Sequence, residues 1–207
     1  MDPDQQEPYS PHIFKKITDI KFLDLINTIE LASDNENIKG INLKSQSPKM
    51  GWSQALTIRK ALLKFKDKGK FIYSYGDFFS QKGYYLASVS DSIFLNPMGN
   101  IELRGLGAEV LYYKDLQEKY GFKMEVVRHG KYKSAVEPYL DDKMSEANRN
   151  QIKSLLNSMW DGIGNQIKLS RKISSENFNK LVDNLDATFP ENAYRNNIVD
   201  GIVSKTQ

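Results

Sequence analysis

The sequence predicts an α/β domain built on a largely parallel sheet, and three observations carry that prediction. Short apolar runs of strand length alternate with segments whose apolar residues recur at helical spacing, Gly, Pro, Asn and Asp punctuate the junctions, and the last third turns to helix alone. The 207 residues, 40% of them hydrophobic, suffice for one sizeable core.

Residues 1–18, with Pro3, Pro8 and Pro11, read as an extended lead-in, and one domain is expected over 19–207. From Asp19, the residues Phe22, Leu23, Ile26, Ile29 and Leu31 mark a helix that stops at the turn residues of "SDNEN"; "IKGINLK" follows as a short buried strand. The pattern then repeats. "WSQALTIRKALLKFKDKGK" presents Ala55, Leu56, Ile58, Leu62, Leu63 and Phe65 on a helix that ends near Gly69, ahead of the strand "FIYSY". "QKGYYLASVS" reads as a short buried helix, and "SIFLN" as a third strand closed by Asn96, Pro97 and Gly99. "AEVLYYKDLQEKYG" predicts a helix and "KMEVVRH" a fourth strand. Ser145 then caps a long helix whose stripe is Ile152, Leu155, Leu156, Met159, Trp160, Ile163 and Ile167. "SSENFNKLVDNL" and the proline-started "FPENAYRNNIVDGIV" give two more helices and a last short apolar run.

Composition removes several functions. Basic and acidic residues nearly balance, 29 against 26, and the lysines are spread along the chain, so nucleic acid is not an expected partner. With no cysteine there is no disulfide, thiolate metal site or cysteine nucleophile, and His12 and His129 stand too far apart for a histidine metal motif. Neither a metal nor a cofactor is expected. No apolar run approaches the roughly 18 residues of a membrane helix, and the start lacks the basic-then-apolar order of a signal peptide.

Three stretches remain as candidate sites. The glycines of "GNIELRGLG" do not spell a phosphate loop and read as a turn with close backbone approach. "SYGDFFSQKGYYLAS" puts polar groups where a strand meets a helix, a place whose amides can hold an anion or oxyanion; Ser80 reads there as a helix cap rather than a nucleophile, because no G-x-S-x-G surrounds it. The pairs Phe78-Phe79, Tyr84-Tyr85 and Tyr112-Tyr113 suit a groove or the core, with the core favoured. The third stretch is "RHGKYKSAVEPYL". Lys131 reads as a solvated charge, whereas Lys133 sits beside Tyr132 and precedes Ala135, Val136 and Pro138. A lysine partly desolvated in such a setting loses some preference for its charged form. An ordinary lysine, with a pKa of about 10.4, must come down to about 7–8 to work as a general base.

"GKYKSAVEPYLDDKMSEANRNQ" resembles the lysine motif of the signal peptide peptidase A family, membrane-bound serine peptidases with a Ser-Lys dyad. Over roughly residues 19–205 the chain is similar to the amino-terminal repeat of that family's long, tandem form. The resemblance implies a Clp protease/crotonase-like α/β fold, a mostly parallel sheet flanked by helices with a helical carboxy-terminal part. It also implies a divided active site, in which Lys133 is the general base for a nucleophilic serine carried by a second repeat that this chain does not contain. Aligning on the Gly-Tyr pair of "FFSQKGYY" puts Gln81 at the nucleophile position, with Ser80 one residue early. The implied partners are peptide substrates such as cleaved signal peptides, the serine-bearing repeat, further copies in a homo-oligomer (a tetramer of the full-length chain), and the membrane through a segment outside this chain. The implied location is the extracytoplasmic side of the bacterial inner membrane. On this reading the chain alone is inactive and Lys133, without the serine repeat, titrates more like an ordinary lysine. The alternative is a non-catalytic scaffold of the same fold, for oligomer assembly or apolar peptide binding. An acyl-thioester enzyme of the crotonase kind shares the architecture, but the sequence carries none of its motifs.

Overall fold

The computed structural model describes residues 21–125 and 134–205. The expected lead-in over 1–18 falls outside them. In order, the chain forms α1 (Phe22–Asp34), β1 (Gly40–Leu43), α2 (Trp52–Asp67), β2 (Phe71–Phe79), α3 (Gln81–Ala87), β3 (Ser92–Ile101) and α4 (Lys114–Tyr120). A 3-10 turn (Ser134–Val136) leads into the single turn α5 (Glu137–Leu140), followed by α6 (Glu146–Arg171), α7 (Ser175–Asp183), α8 (Pro190–Arg195) and β4 (Gly201–Ile202). The four strands pair in chain order and all in parallel.

The sheet is amphipathic. Ile72, Ser74 and Gly76 of β2 and Ile93 and Leu95 of β3 point into a core completed by Phe65, Tyr84, Leu86, Ile167, Phe178 and Ile198. The alternate residues Phe71 and Tyr73 keep 51% and 37% of their surface exposed. Parallel sheets are ordinarily covered on both faces and read as continuous apolar runs; this one alternates, so one face has little cover among the described residues.

One local device fixes two strands in register. Asp91, just before β3, donates its N–H to the Ile72 carbonyl (2.7 Å) while its carboxylate accepts from Ile72 N (2.8 Å). Asp200, just before β4, makes the same two bonds to Ile93, each 2.8 Å. Each carboxylate also meets a cation, Lys66 at 2.8 Å and Arg171 at 2.9 Å. Burial alone would raise the Asp91 carboxyl; the bonds from Lys66 and Ile72 outweigh it and hold the group below its usual range.

Expected and observed elements differ at three places. β2 runs through "GDFF", beyond the expected "FIYSY", and β3 runs through Asn96, Pro97 and Gly99, where the sequence signalled a stop; the two pair across a register irregularity between Gly76 and Phe78. A Cβ on Gly99 would lie 2.6 Å from the Asp77 carbonyl oxygen, so this glycine marks a close approach of two strands rather than a chain turn. The helix expected from residue 108 begins only at Lys114, because Tyr113 is drawn away, its N–H bonded to the Pro138 carbonyl at 2.7 Å and its ring stacked on Tyr139 at 5.6 Å. Of the expected strand "KMEVVRH", residues 123–125 have no regular structure and 126–129 lie outside the described residues. The final apolar run supplies the fourth strand instead.

Candidate active site

Lys133, the predicted catalytic lysine, lies outside the described residues, as do Lys131, His12 and His129. The chain resumes at Ser134, and the remainder of the lysine motif is firmly built. Glu137 is 2% exposed, and its carboxylate accepts from the Ser145 hydroxyl (2.6 Å), the Ser145 N–H (3.3 Å) and the Asn148 side-chain amide (2.8 Å). Ser145 is at the same time the N-cap of α6, accepting from Asn148 N at 3.2 Å. A buried carboxylate is tolerated only where donors converge on it, and here they tie the end of the motif to the first turn of a 26-residue helix.

On the other side the motif packs on α4. The Gln117 amide, itself buried, donates to the Tyr139 carbonyl (2.7 Å) and accepts from Met124 N (2.8 Å). Lys114 bonds Asp142 at 3.0 Å, and that bond raises the pKa of the ammonium above its ordinary value. Burial, with the charges of Glu137 and Asp141, pushes the nearby Tyr112 phenol up as well. Neither Glu137 nor Gln117 stood out in the sequence. The only signal was a charged residue set between Val136 and Pro138.

The second candidate, the junction of β2 and α3, is closed by its own chain. Ser80 is the N-cap of α3, its hydroxyl accepting from Gly83 N at 3.2 Å and its N–H bonded to the Gln46 carbonyl at 2.8 Å. The carbonyls of Ser45 and Gln46 press on the first helical turn so closely that a Cβ on Gly83 would stand 2.1 Å from the Gln46 oxygen. Lys82 reaches back to the Met50 carbonyl. The capping role expected of Ser80 is therefore observed, and carbonyl oxygens occupy the place where an anion would bind. Gln81 turns its side chain outward to the loop after β3, accepting from Arg104 N and Gly105 N at 3.0 Å each and donating to the Gly105 carbonyl at 2.9 Å.

Of the three aromatic pairs, Phe79, Tyr84 and Tyr85 are core residues, as favoured; Tyr113 is partly exposed and its ring stacks on the lysine motif. The sequence also missed Arg59, which is 1% exposed. It donates to the Tyr85 carbonyl, to Ser88 Oγ (2.8 Å), to the Gln166 carbonyl (2.9 Å) and to Ser170 Oγ (2.6 Å), and its guanidinium lies 4.7 Å from the centre of the Tyr85 ring. Those acceptors belong to the last turns of α3 and α6, whose dipoles point their negative ends at the cation. Burial lowers the guanidinium to about 10, which leaves it charged at neutral pH.

The sequence profile of peptidase family S49 matches residues 64–207, a span that holds both the strand-helix junction and the lysine motif. The chain belongs to peptidase family S49. It is 35% identical over 167 residues to Protease 4 of Salmonella typhi, covering 78% of this chain and 26% of that protein. To the chloroplastic serine protease SPPA of Arabidopsis thaliana it is 31% identical over 156 residues, 73% of this chain and 23% of the other. These relatives bear out the resemblance to the signal peptide peptidase A family. The chain spans about a quarter of the length of the curated relatives it matches. Among solved structures, a mutant of the membrane-bound stomatin-specific protease 1510-N superposes with a TM-score of 0.51 at 12% identity, over 88% of this chain and 72% of that one. That likeness bears on fold alone, and it agrees with the Clp-protease type of α/β architecture expected for an S49 chain. No helix among the described residues is long and apolar enough to cross a membrane.

Proposed function

We propose that this S49 chain is the lysine-bearing half of a serine peptidase that cleaves short apolar peptides, cleaved signal peptides among them. Lys133 acts as general base, and a second repeat supplies the serine. The observation that carries the reading is the occupancy of the β2–α3 junction: Ser80 is committed to capping α3, and the next position holds Gln81, which has no nucleophilic atom. The intact lysine motif within the family match supports the other half of the assignment.

In the proposed reaction the neutral Lys133 amine takes the proton from the serine hydroxyl as its oxygen attacks the peptide carbonyl. The resulting ammonium returns that proton to the leaving amine, and an acyl-enzyme remains. Water, deprotonated by the same lysine, then releases the second product. Glu137, Asp141 and Asp142 follow Lys133 within ten residues, and carboxylates favour the charged amine; docking of the serine repeat has to remove water from the lysine for the base to form. The assembly works as an oligomer at the extracytoplasmic face of a membrane, held there by a segment other than residues 1–207.

The test is reconstitution with a serine-bearing repeat and a fluorogenic apolar peptide. The 207-residue chain alone should show no cleavage, the pair should cleave, and Lys133→Ala in the pair should lower kcat by about 10³-fold. Equal turnover by the Lys133→Ala pair overturns the assignment. Absence of any turnover in a pair that demonstrably associates favours the scaffold reading, to which the half-covered sheet face lends support.

A further inference from the structure

Glu137 is a charged residue buried within the lysine motif, and its bonds have the form of a helix cap built from outside the helix. In a capping box the N–H of the N-cap residue is met by a side chain from the helix's own N3 position. The N3 residue of α6 is Asn148, and its amide turns away to donate to Glu137 Oε2 at 2.8 Å. The Ser145 N–H is met instead by that same carboxylate at 3.3 Å, and the Ser145 hydroxyl donates to Oε1 at 2.6 Å. Glu137 therefore closes the cap of α6 from another segment. Its three partners here all donate, so the position requires a carboxylate, which only accepts; a carboxamide would set its NH₂ group against a donor.

The residues that follow Lys133 are held one after another. Ser134–Val136 form a 3-10 turn that runs into α5. The Glu137 side chain is fixed on α6, the Pro138 carbonyl accepts from Tyr113 N at 2.7 Å, and the Tyr139 carbonyl accepts from the Gln117 amide at 2.7 Å. A turn of four residues has too few internal bonds to keep its own geometry. Its orientation comes from these contacts, and Glu137 ties it to a helix of 26 residues.

We propose that Glu137 is a positioning residue of the peptidase: by closing the α6 cap, its carboxylate fixes the backbone that immediately follows Lys133, and it takes no part in proton transfer. The inference rests on the reading of Lys133 as the base. A misplacement of about 1 Å, caused away from the chemistry, can lower turnover by about 10²-fold. Because Glu137 acts through the cap, loss of its partner Ser145 should have the same consequence as loss of Glu137 itself.

The experiment pairs the 207-residue chain with a serine-bearing repeat and follows a fluorogenic apolar peptide at two temperatures below the unfolding midpoint of every variant. Ser145→Ala leaves all charges in place and removes one donor. It should lower kcat by about 10- to 100-fold with KM unchanged, while the acid limb of the pH–kcat profile, which reports the neutral lysine, stays where it is. Ser145→Thr keeps the hydroxyl and should retain kcat. Glu137→Gln should lose as much as Ser145→Ala, and the double variant should be no worse than the weaker single one, since both break one cap. The inference is overturned by losses that multiply in the double variant, by a loss that disappears at the lower temperature and so marks unfolding, or by a moved acid limb in Glu137→Gln, which would give the carboxylate a direct electrostatic role. Turnover lost in Lys133→Ala but retained in Ser145→Ala and Glu137→Gln overturns this inference alone. Turnover that survives Lys133→Ala overturns the peptidase reading and this inference with it.

Discussion

Within α6, Ile163 and Ile167 are buried and the last turn is bonded to Arg59, whereas from Arg149 to Gly162 no residue is buried and Leu155 keeps 61% of its surface exposed. The apolar stripe is continuous across both halves, yet among the described residues only the carboxy-terminal half is buried along it. The amino-terminal half is instead held at its tip, where Ser145, Asn148 and Glu137 join it to the lysine motif. A helix clamped at both ends and at most half-buried between Arg149 and Gly162 transmits position more than it buries area. Its rigid half fixes where the first turn sits, and the first turn fixes where the segment after Lys133 begins.

The largest effect should come from the clamp in the core. Arg59→Met removes a side chain bonded to both α3 and α6 and takes one donor each from the carbonyls of Tyr85 and Gln166, the first of which keeps the Ser88 hydroxyl. A loss of about 3 kcal/mol is expected from the urea unfolding midpoint. A loss below about 1 kcal/mol would mean that packing of Ile163 and Ile167 suffices, and the contrast between the two halves would then be one of burial only.

At the other end the expected cost is smaller and local. Glu137→Ala takes the acceptor from Ser145 and Asn148, and about 2 kcal/mol should be lost at the start of α6. Hydrogen exchange can read this directly: amides of residues 145–149 should exchange faster while those of residues 163–171 stay protected. Uniform acceleration along the helix would show that α6 opens as one unit and that its two halves are not independent.

How far such a division shows in sequence depends on what each signal measures. Helical periodicity located α1, α2, α6 and α7 because an apolar stripe is written locally, but the stripe of α6 says only that Leu155 and Ile163 share a face, not that one of them is covered. Gly99 was read as a stop; it is a site of close approach within β3, and glycine in a single sequence signals both. The cap at Ser80 was legible from the missing nucleophile elbow. Arg59, Gln117 and Glu137 were not, because a buried polar residue is recognised by its acceptors and donors, and those of Arg59 lie 26 to 111 positions away. The lysine motif was found through its resemblance to a family, since local pattern alone gives Lys133 little over any other lysine.

The smallest effect is expected on the bare face, and it tests the comparison from the opposite side. Leu155→Ser changes a residue with 61% of its surface exposed, so the stability of the isolated chain should move by no more than about 0.5 kcal/mol. If copies or a second repeat cover the stripe formed by Leu155 and Met159, the same substitution should leave unfolding unchanged at low micromolar concentration yet reduce the mass measured by sedimentation as concentration rises. Burial of such a stripe contributes to association and not to the folding of one chain. A drop of more than about 1.5 kcal/mol, independent of concentration, would instead place Leu155 in an intramolecular contact of the same weight as Ile163.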